Sequence, residues 1–268
     1  MPGPADVVDR PAVPGPVCRA WFVVVRSIAA YRSAWKLFVT GFLEPVLYLF
    51  SIGIGVGQLI EGFTVDGRQV SYAMFVAPAM LATSAMNGAM YDSTFGVFFR
   101  LKYDKVYDQL LATPIGTTDI ARGEIAWSLI RGGTYSAAFL AVMTLMGLVA
   151  SPWAVLALPA AWLICWSFAC VFMGLTTYLT SWQDFDKITL LQLPLFLFSA
   201  TFFPVSTYDP VVRWVVEGTP LYRGVVLCRE LTLGTVGWGS VVSVAYLCVM
   251  GLVGLMVVRR RLATLLVI

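Results

Sequence analysis

Residues Phe98–Glu124 read FFRLKYDKVYDQLLATPIGTTDIARGE, the most polar long stretch between hydrophobic runs in the chain. Of the 268 residues, 59% are hydrophobic, 14% aromatic and only 12% charged, whereas a soluble domain carries roughly a quarter charged side chains. The composition therefore predicts an integral membrane protein, and a stretch this polar within it predicts a contact surface in the cytosol.

Working outward from that stretch, several windows supply the ~20 apolar residues that a helix needs to cross ~30 Å of hydrocarbon. The runs are continuous rather than alternating, which favours helices that satisfy their own backbone over a β-barrel. Six spans are readable, near Trp35–Gln58, Tyr72–Phe95, Ile125–Val149, Ala154–Thr180, Thr189–Pro204 and Val236–Val258. The fifth is short, which leaves it tilted, broken at Pro194, or joined to a partly buried return segment. With the N terminus inside, 13 Lys and Arg side chains fall in cytosolic segments and 4 outside (Arg68, Arg213, Arg223, Arg229), Arg131 being left within the third span. The positive-inside rule then puts both termini in the cytosol of a multi-pass cell-membrane protein. Trp35, Trp127, Trp153, Trp182 and Trp238 fall near span ends, where amphipathic rings settle. The formal charge of +3 is spread along these loops, so it reads as topological bias and excludes a nucleic-acid-binding stripe.

Residues 1–16 hold five prolines and no apolar core of a signal peptide, and read as a disordered tail. Across 17–34 and into the first span, Trp21, Val24, Ile28, Tyr31 and Trp35 recur at helical spacing while Arg19 and Arg26 share another face. This predicts an interfacial amphipathic helix; its alternative is a downward extension of the first span. Residues 35–268 form the six-helix transmembrane domain. Glu61–Ser71 is a short outer loop, and Ser206–Thr235 is long enough, with mixed Val, Arg and Glu, to hold two short re-entrant helices on the outer face.

Within the opening stretch, Tyr103, Val106, Leu110 and Leu111 recur opposite Asp104 and Asp108, predicting a short amphipathic helix that Pro114 ends. The segment DKVYDQLLATPIGTTDIARGEIAW (Asp104–Trp127) resembles the signature of ABC-2 type exporter permeases, in the nodulation J-like branch associated with lipo-oligosaccharide and drug export. LEPVLYLFSIGIGVG (Leu43–Gly57) and TPLYRGVVLCRELTLG (Thr219–Gly234) add to the resemblance, which spans nearly the whole chain except its tail. It implies a six-helix subunit that dimerises with a second permease, identical or homologous, around a translocation path and binds two cytosolic ABC ATPase domains. It also implies that the polar segment is the coupling helix, a role carried onto Tyr103, Asp104, Lys105, Tyr107, Asp108, Gln109, Ala112, Thr113 and Pro114. No Gly-Lys pair occurs in the chain, so the phosphate-cradling GxxxxGK[ST] loop is absent. The chain is thus expected to carry no cofactor and no catalytic residue, with ATP and Mg on a separate ATPase.

Glu44 and Arg131 are the unusual charges inside spans, and intramembrane charges mark function or pair with one another. They stand as a structural pair or as path residues, while Asp92 reads as an interfacial or capping charge. Phe196, Phe198, Phe202 and Phe203 make the fifth span aromatic; packing explains such residues, and the resemblance implies an exit gate. Glu217 and Glu230 flank the re-entrant region, where a carboxylate caps a helix or closes an outer gate, capping being the favoured reading. Five cysteines without a CxxC motif, and no histidine, give no metal site. The expected function is export of an amphiphile, either a lipid-linked saccharide or a hydrophobic drug. Two other classes stay open: an ATP-independent secondary transporter with Glu44 and Arg131 as coupling charges, and a non-transporting scaffold.

Overall fold

The computed structural model describes residues 15–32, 43, 46–51, 55–57, 63–65 and 68–266. Helix α1 spans Pro16–Arg32. Strands β1 (Phe63–Val65) and β2 (Arg68–Val70) pair antiparallel with Thr64 opposite Gln69, where a plain loop was expected. The Asp66-Gly67 dipeptide between them is the sequence signature of a two-residue hairpin. Helix α2 (Tyr72–Tyr91) opens on Ser71, whose Oγ accepts from the Met74 amide at 3.3 Å. It runs through a π-turn at Asp92–Gly96 into α3 (Val97–Lys102), a rod of 31 residues. Next come α4 (Val106–Leu111), α5 (Thr117–Leu145), a 3₁₀ turn at Pro152–Leu156 and α6 (Ala157–Thr176). The chain closes with α7 (Phe185–Leu197), α8 (Pro210–Gly218), α9 (Pro220–Leu233) and α10 (Trp238–Leu266). The two short helices expected in the long loop are α8 and α9. Gly234 takes φ +82 to end α9, a left-handed cap that side chains disfavour.

Burial orders the bundle. The most apolar stretch of the α2–α3 rod is 83% buried and that of α10 only 28%, so α2 is the axis, with α5, α6 and α9 packed on it, and α10 lies outside against α6. Small residues permit the close approaches. A Cβ on Gly88 would lie 3.0 Å from the Gly132 Cα, between α2 and α5, and one on Gly254 would lie 2.9 Å from the Cys170 backbone, between α10 and α6. Substituting Gly254→Val should force α10 off α6 at a cost of about 1–3 kcal/mol, seen as a lowered Tm in detergent; an unchanged Tm would show that the two helices part without penalty.

Three helices among the described residues are long and apolar enough to cross a membrane: Tyr72–Lys102, Pro152–Thr176 and Trp238–Leu266. Helix α5 has 29 residues but begins eight residues before the expected third span and carries Asp119, Arg122, Glu124 and Arg131. The fifth span is corrected most. Its helix has 13 residues and stops at Leu197, because the Ser199 hydroxyl donates to the Phe196 carbonyl (2.7 Å) and competes with the next helical turn. Pro194 lies inside the helix rather than at its break. Most of the first span lies outside the described residues, where 46–51 are helical. Trp127, expected at an interface, is instead interior at 3% exposure and packs its ring 5.1 Å from that of Tyr31.

Candidate functional site

The polar segment emerges between α3 and α5 as the short helix α4 and its flanks. Tyr103, Asp104, Lys105, Asp108, Gln109, Ala112, Thr113 and Pro114 are all exposed, so eight of the nine residues marked by the resemblance form one open surface. Tyr107 is the exception and corrects that set: it is fully buried and points inward. Burial pushes its phenol far above the ordinary range, so the hydroxyl stays neutral beside Arg100 and Glu124. Lys105 adopts φ +46, a left-handed residue that turns the chain sharply from α3 into α4. Asp119 accepts from the Gly116 amide at 3.1 Å and so closes the first turn of α5.

Helix α1 holds this segment from the other side. Arg19 lies 3.4 Å from Asp119 and donates to the Pro114 carbonyl at 3.0 Å. Arg26 meets Glu124 at 3.2 Å, and Arg131 donates to the Tyr31 hydroxyl at 3.3 Å. These rungs rise along both helices in the same order, so α1 and α5 run side by side in the same direction. Gly123 is the close contact between them, since a Cβ there would lie 2.8 Å from the Ala20 carbonyl. The central rung is ionic and internal: Glu124, 1% exposed, bridges Arg26 on α1 and Arg100 on α3, the latter at 2.6 Å. Of the expected α1 stripe, Val24 and Tyr31 turn inward while Trp21 and Ile28 stay exposed.

One level along the bundle, Arg131 is paired, and its carboxylate partner is Asp92 at 2.6 Å. Asp92 is thus a buried ion-pair member, correcting its expected place as an interfacial or capping charge. It sits at the start of the π-turn, a local widening that recurs at functional positions. Tyr31 donates to Asp92 at 3.0 Å, and Arg131 donates from Nε to the Tyr135 hydroxyl at 2.9 Å. The Tyr31 phenol is pushed up to about 12, first by burial and then by the Asp92 charge, so it remains a donor. The Arg131 guanidinium also lies 5.2 Å from the centres of the Tyr31 and Tyr91 rings. The other expected partner, Glu44, lies outside the described residues.

The four phenylalanines fall at the end of α7 and in the turn beyond it. Phe196 and Phe202 meet edge to face at 5.4 Å, while Phe203 packs on Tyr208 at 5.2 Å. Phe198 and Phe203 are 44% and 39% exposed. Phe196 lines a hollow of about 220 Å³ with Tyr48, Thr83, Asn87 and Gln192, in which the Gln192 amide donates to the Asn87 carbonyl oxygen at 2.9 Å. Arg229, read from sequence as a loop charge, anchors this turn instead. It donates to the Ala200 carbonyl at 3.0 Å and lies 3.9 Å over the Phe75 ring. Among the described residues neither flanking glutamate accepts a helix-terminal backbone amide as a cap would: Glu217 pairs with Arg213 on its own helix at 2.7 Å, and Glu230 accepts from the Ser240 hydroxyl in the first turn of α10.

Residues 19–233 match the model of the ABC-2 type transporter family. Nodulation protein J of Sinorhizobium fredii is 30% identical over 232 residues, which cover 85% of this chain and 87% of the relative. Nodulation protein J of Rhizobium leguminosarum bv. viciae is 30% identical over 251 residues, covering 90% and 95%. The inner membrane transport permease YadH of Escherichia coli is 26% identical over 114 residues, covering 42% and 44%.

Proposed function

Because the chain belongs to the ABC-2 type transporter family, as a permease of the Nodulation protein J-like branch, we propose that it is the membrane-spanning half of an ATP-driven exporter that moves an amphiphile out of the cytosol. The observation that carries this reading is the coupling surface. Eight exposed residues stand on a segment pinned from behind by buried Tyr107 and by the Arg26–Glu124–Arg100 bridge. A loop without a partner gains nothing from such anchoring, whereas a surface that receives mechanical work from an ATPase must be stiff.

On this reading two cytosolic ABC ATPase subunits hold ATP and Mg, and their closure moves α4 together with α1 and the start of α5. A second permease, identical or homologous, completes the path, both termini lie in the cytosol, and the protein resides in the cell membrane among its lipids. The polar hollow beside Phe196 and the exposed Phe198 and Phe203 support a path along α7 with an aromatic exit. The cargo combines a polar head with apolar chains, a lipid-linked saccharide or a hydrophobic drug.

The test is co-purification with a cytosolic ATPase, followed by transport in vesicles with and without ATP. Reversing both exposed charges, Asp104→Lys and Asp108→Lys, should lower ATPase recovery and ATP-dependent export about tenfold or more, the scale of misplaced like charges at an interface. The Tm should hold, since both side chains are exposed. Export that survives ATP depletion, or that ignores the charge reversals, would sink the proposal.

A further inference from the structure

A groove of about 780 Å³ runs between α6 and α10. Its α10 wall is Val242, Tyr246, Val249, Val253 and Val257, spaced by three and four residues and therefore on one face of the helix. Both helices belong to the segments long and apolar enough to cross a membrane, so the groove lies at the depth of acyl chains. Continuing the same spacing by one step, from Val257, reaches Arg260. At that end of the groove Tyr178 is covered by Arg261, whose guanidinium lies 4.1 Å over the ring. A second hollow, of about 440 Å³, opens there and is lined by Arg259, Arg260, Thr117 and Thr118. Arg260 lines this cationic, hydroxyl-bearing hollow and stands on the same α10 face as the valines of the apolar trough, which places the hollow beside the trough's end.

We propose that these two cavities hold one anionic glycerophospholipid from the leaflet on the side of the C-terminal arginines, an acyl chain in the trough and the phosphate among Arg259, Arg260 and the threonine hydroxyls. Charge decides the occupant. Among the described residues no carboxylate lines either cavity, so a second copy pressing this same face against it would set arginines against arginines. An anionic lipid supplies the chain and the counter-charge together, and basic pockets between membrane helices take lipid head groups on this principle. Thr117 and Thr118 open α5 directly after the polar segment, so the head group would also touch the flank of the coupling surface.

The test uses the full chain purified in mild detergent, with phosphatidylglycerol or phosphatidylcholine of identical acyl chains added and retention read by native mass spectrometry. Phosphatidylglycerol should be retained about tenfold more than phosphatidylcholine, as two arginines near a phosphate imply. The double change Arg259→Gln and Arg260→Gln should abolish the preference, with Arg260→Gln alone giving a partial loss if the double variant does not express. Val253→Trp should fill the trough and lower retention of both lipids, while Arg213→Gln on α8 keeps the wild-type preference. Equal retention of the two lipids by the wild-type protein would overturn the proposal, as would a preference unchanged by the arginine substitutions. So would Val249→Cys chains that cross-link to one another in membranes, because a second copy would then occupy the groove.

Discussion

Replacing Glu124 by alanine is expected to destabilise the permease by about 3–5 kcal/mol, the penalty for removing one member of a buried charge cluster. Glu124 is 1% exposed and contributes one oxygen to Arg26 and the other to Arg100, whose side chain is 13% exposed. Without it, two guanidinium groups face each other where water enters poorly. Arg26 is 30% exposed and can swing its head outward along its apolar stem, so Arg100 carries most of the cost. Three elements part together: α1 loses its central rung, α3 loses its tie to α5, and Tyr107 loses the polar surroundings of its hydroxyl. A double variant, Glu124→Met with Arg100→Met, should recover more than half of the loss, because it removes both the unpaired cation and the carboxylate. SDS-titration unfolding in mixed micelles measures both changes. If Glu124→Ala unfolds at the wild-type midpoint, the bridge is ornamental and α1 is held by its other contacts, the Arg19 and Tyr31 rungs and apolar packing at Val23 and Val24.

This network also shows which parts of the molecule a reader of sequence can reach. Three helices of spanning length and apolarity were legible as continuous apolar runs, and so was the short helix α4, because its amphipathic spacing and the proline after it are local signals. Arg19 and Arg26 were visible as one face of α1, yet their partners were not. Asp119 and Glu124 lie about a hundred positions away, and nothing local to either end reveals a tertiary ion pair. Asp92 was misread for a related reason. A carboxylate near a span end is usually wet, but the π-turn and the continuation of the rod to Lys102 sink this one into the bundle. The fifth span was overextended because hydropathy cannot see that the Ser199 hydroxyl competes for a helical carbonyl. Arg229 reads as a loop cation until the fold brings the Phe75 ring and the Ala200 carbonyl to it.

The Asp92–Arg131 pair gives the other large effect, and its two halves should not be equal. Arg131→Met leaves a carboxylate 1% exposed whose remaining hydrogen bond comes from Tyr31, while its Oδ2 has no described donor. A loss of about 3–5 kcal/mol is expected. Asp92→Asn should cost less, because Arg131 keeps the Tyr135 oxygen as an acceptor and the faces of three tyrosine rings around its cation. Combining Asp92→Asn with Arg131→Met should restore most of the stability, since neither change then strands a charge. That double variant also separates the two readings of the intramembrane charges. If the pair only holds α2 against α5, vesicles carrying the neutral double variant will export in an ATP-dependent manner near the wild-type rate. If export is lost while the folded fraction is retained, and wild-type transport collapses with the proton gradient rather than with ATP, then these charges couple transport and the ATP-driven reading fails. Glu44→Gln, assayed beside it, extends the comparison to the other carboxylate of the spans. Stability and transport answer separately here: breaking the buried pair moves the unfolding midpoint of each single variant in either case, whereas the rate of the neutral double is spared by a structural pair and lost with a coupling pair.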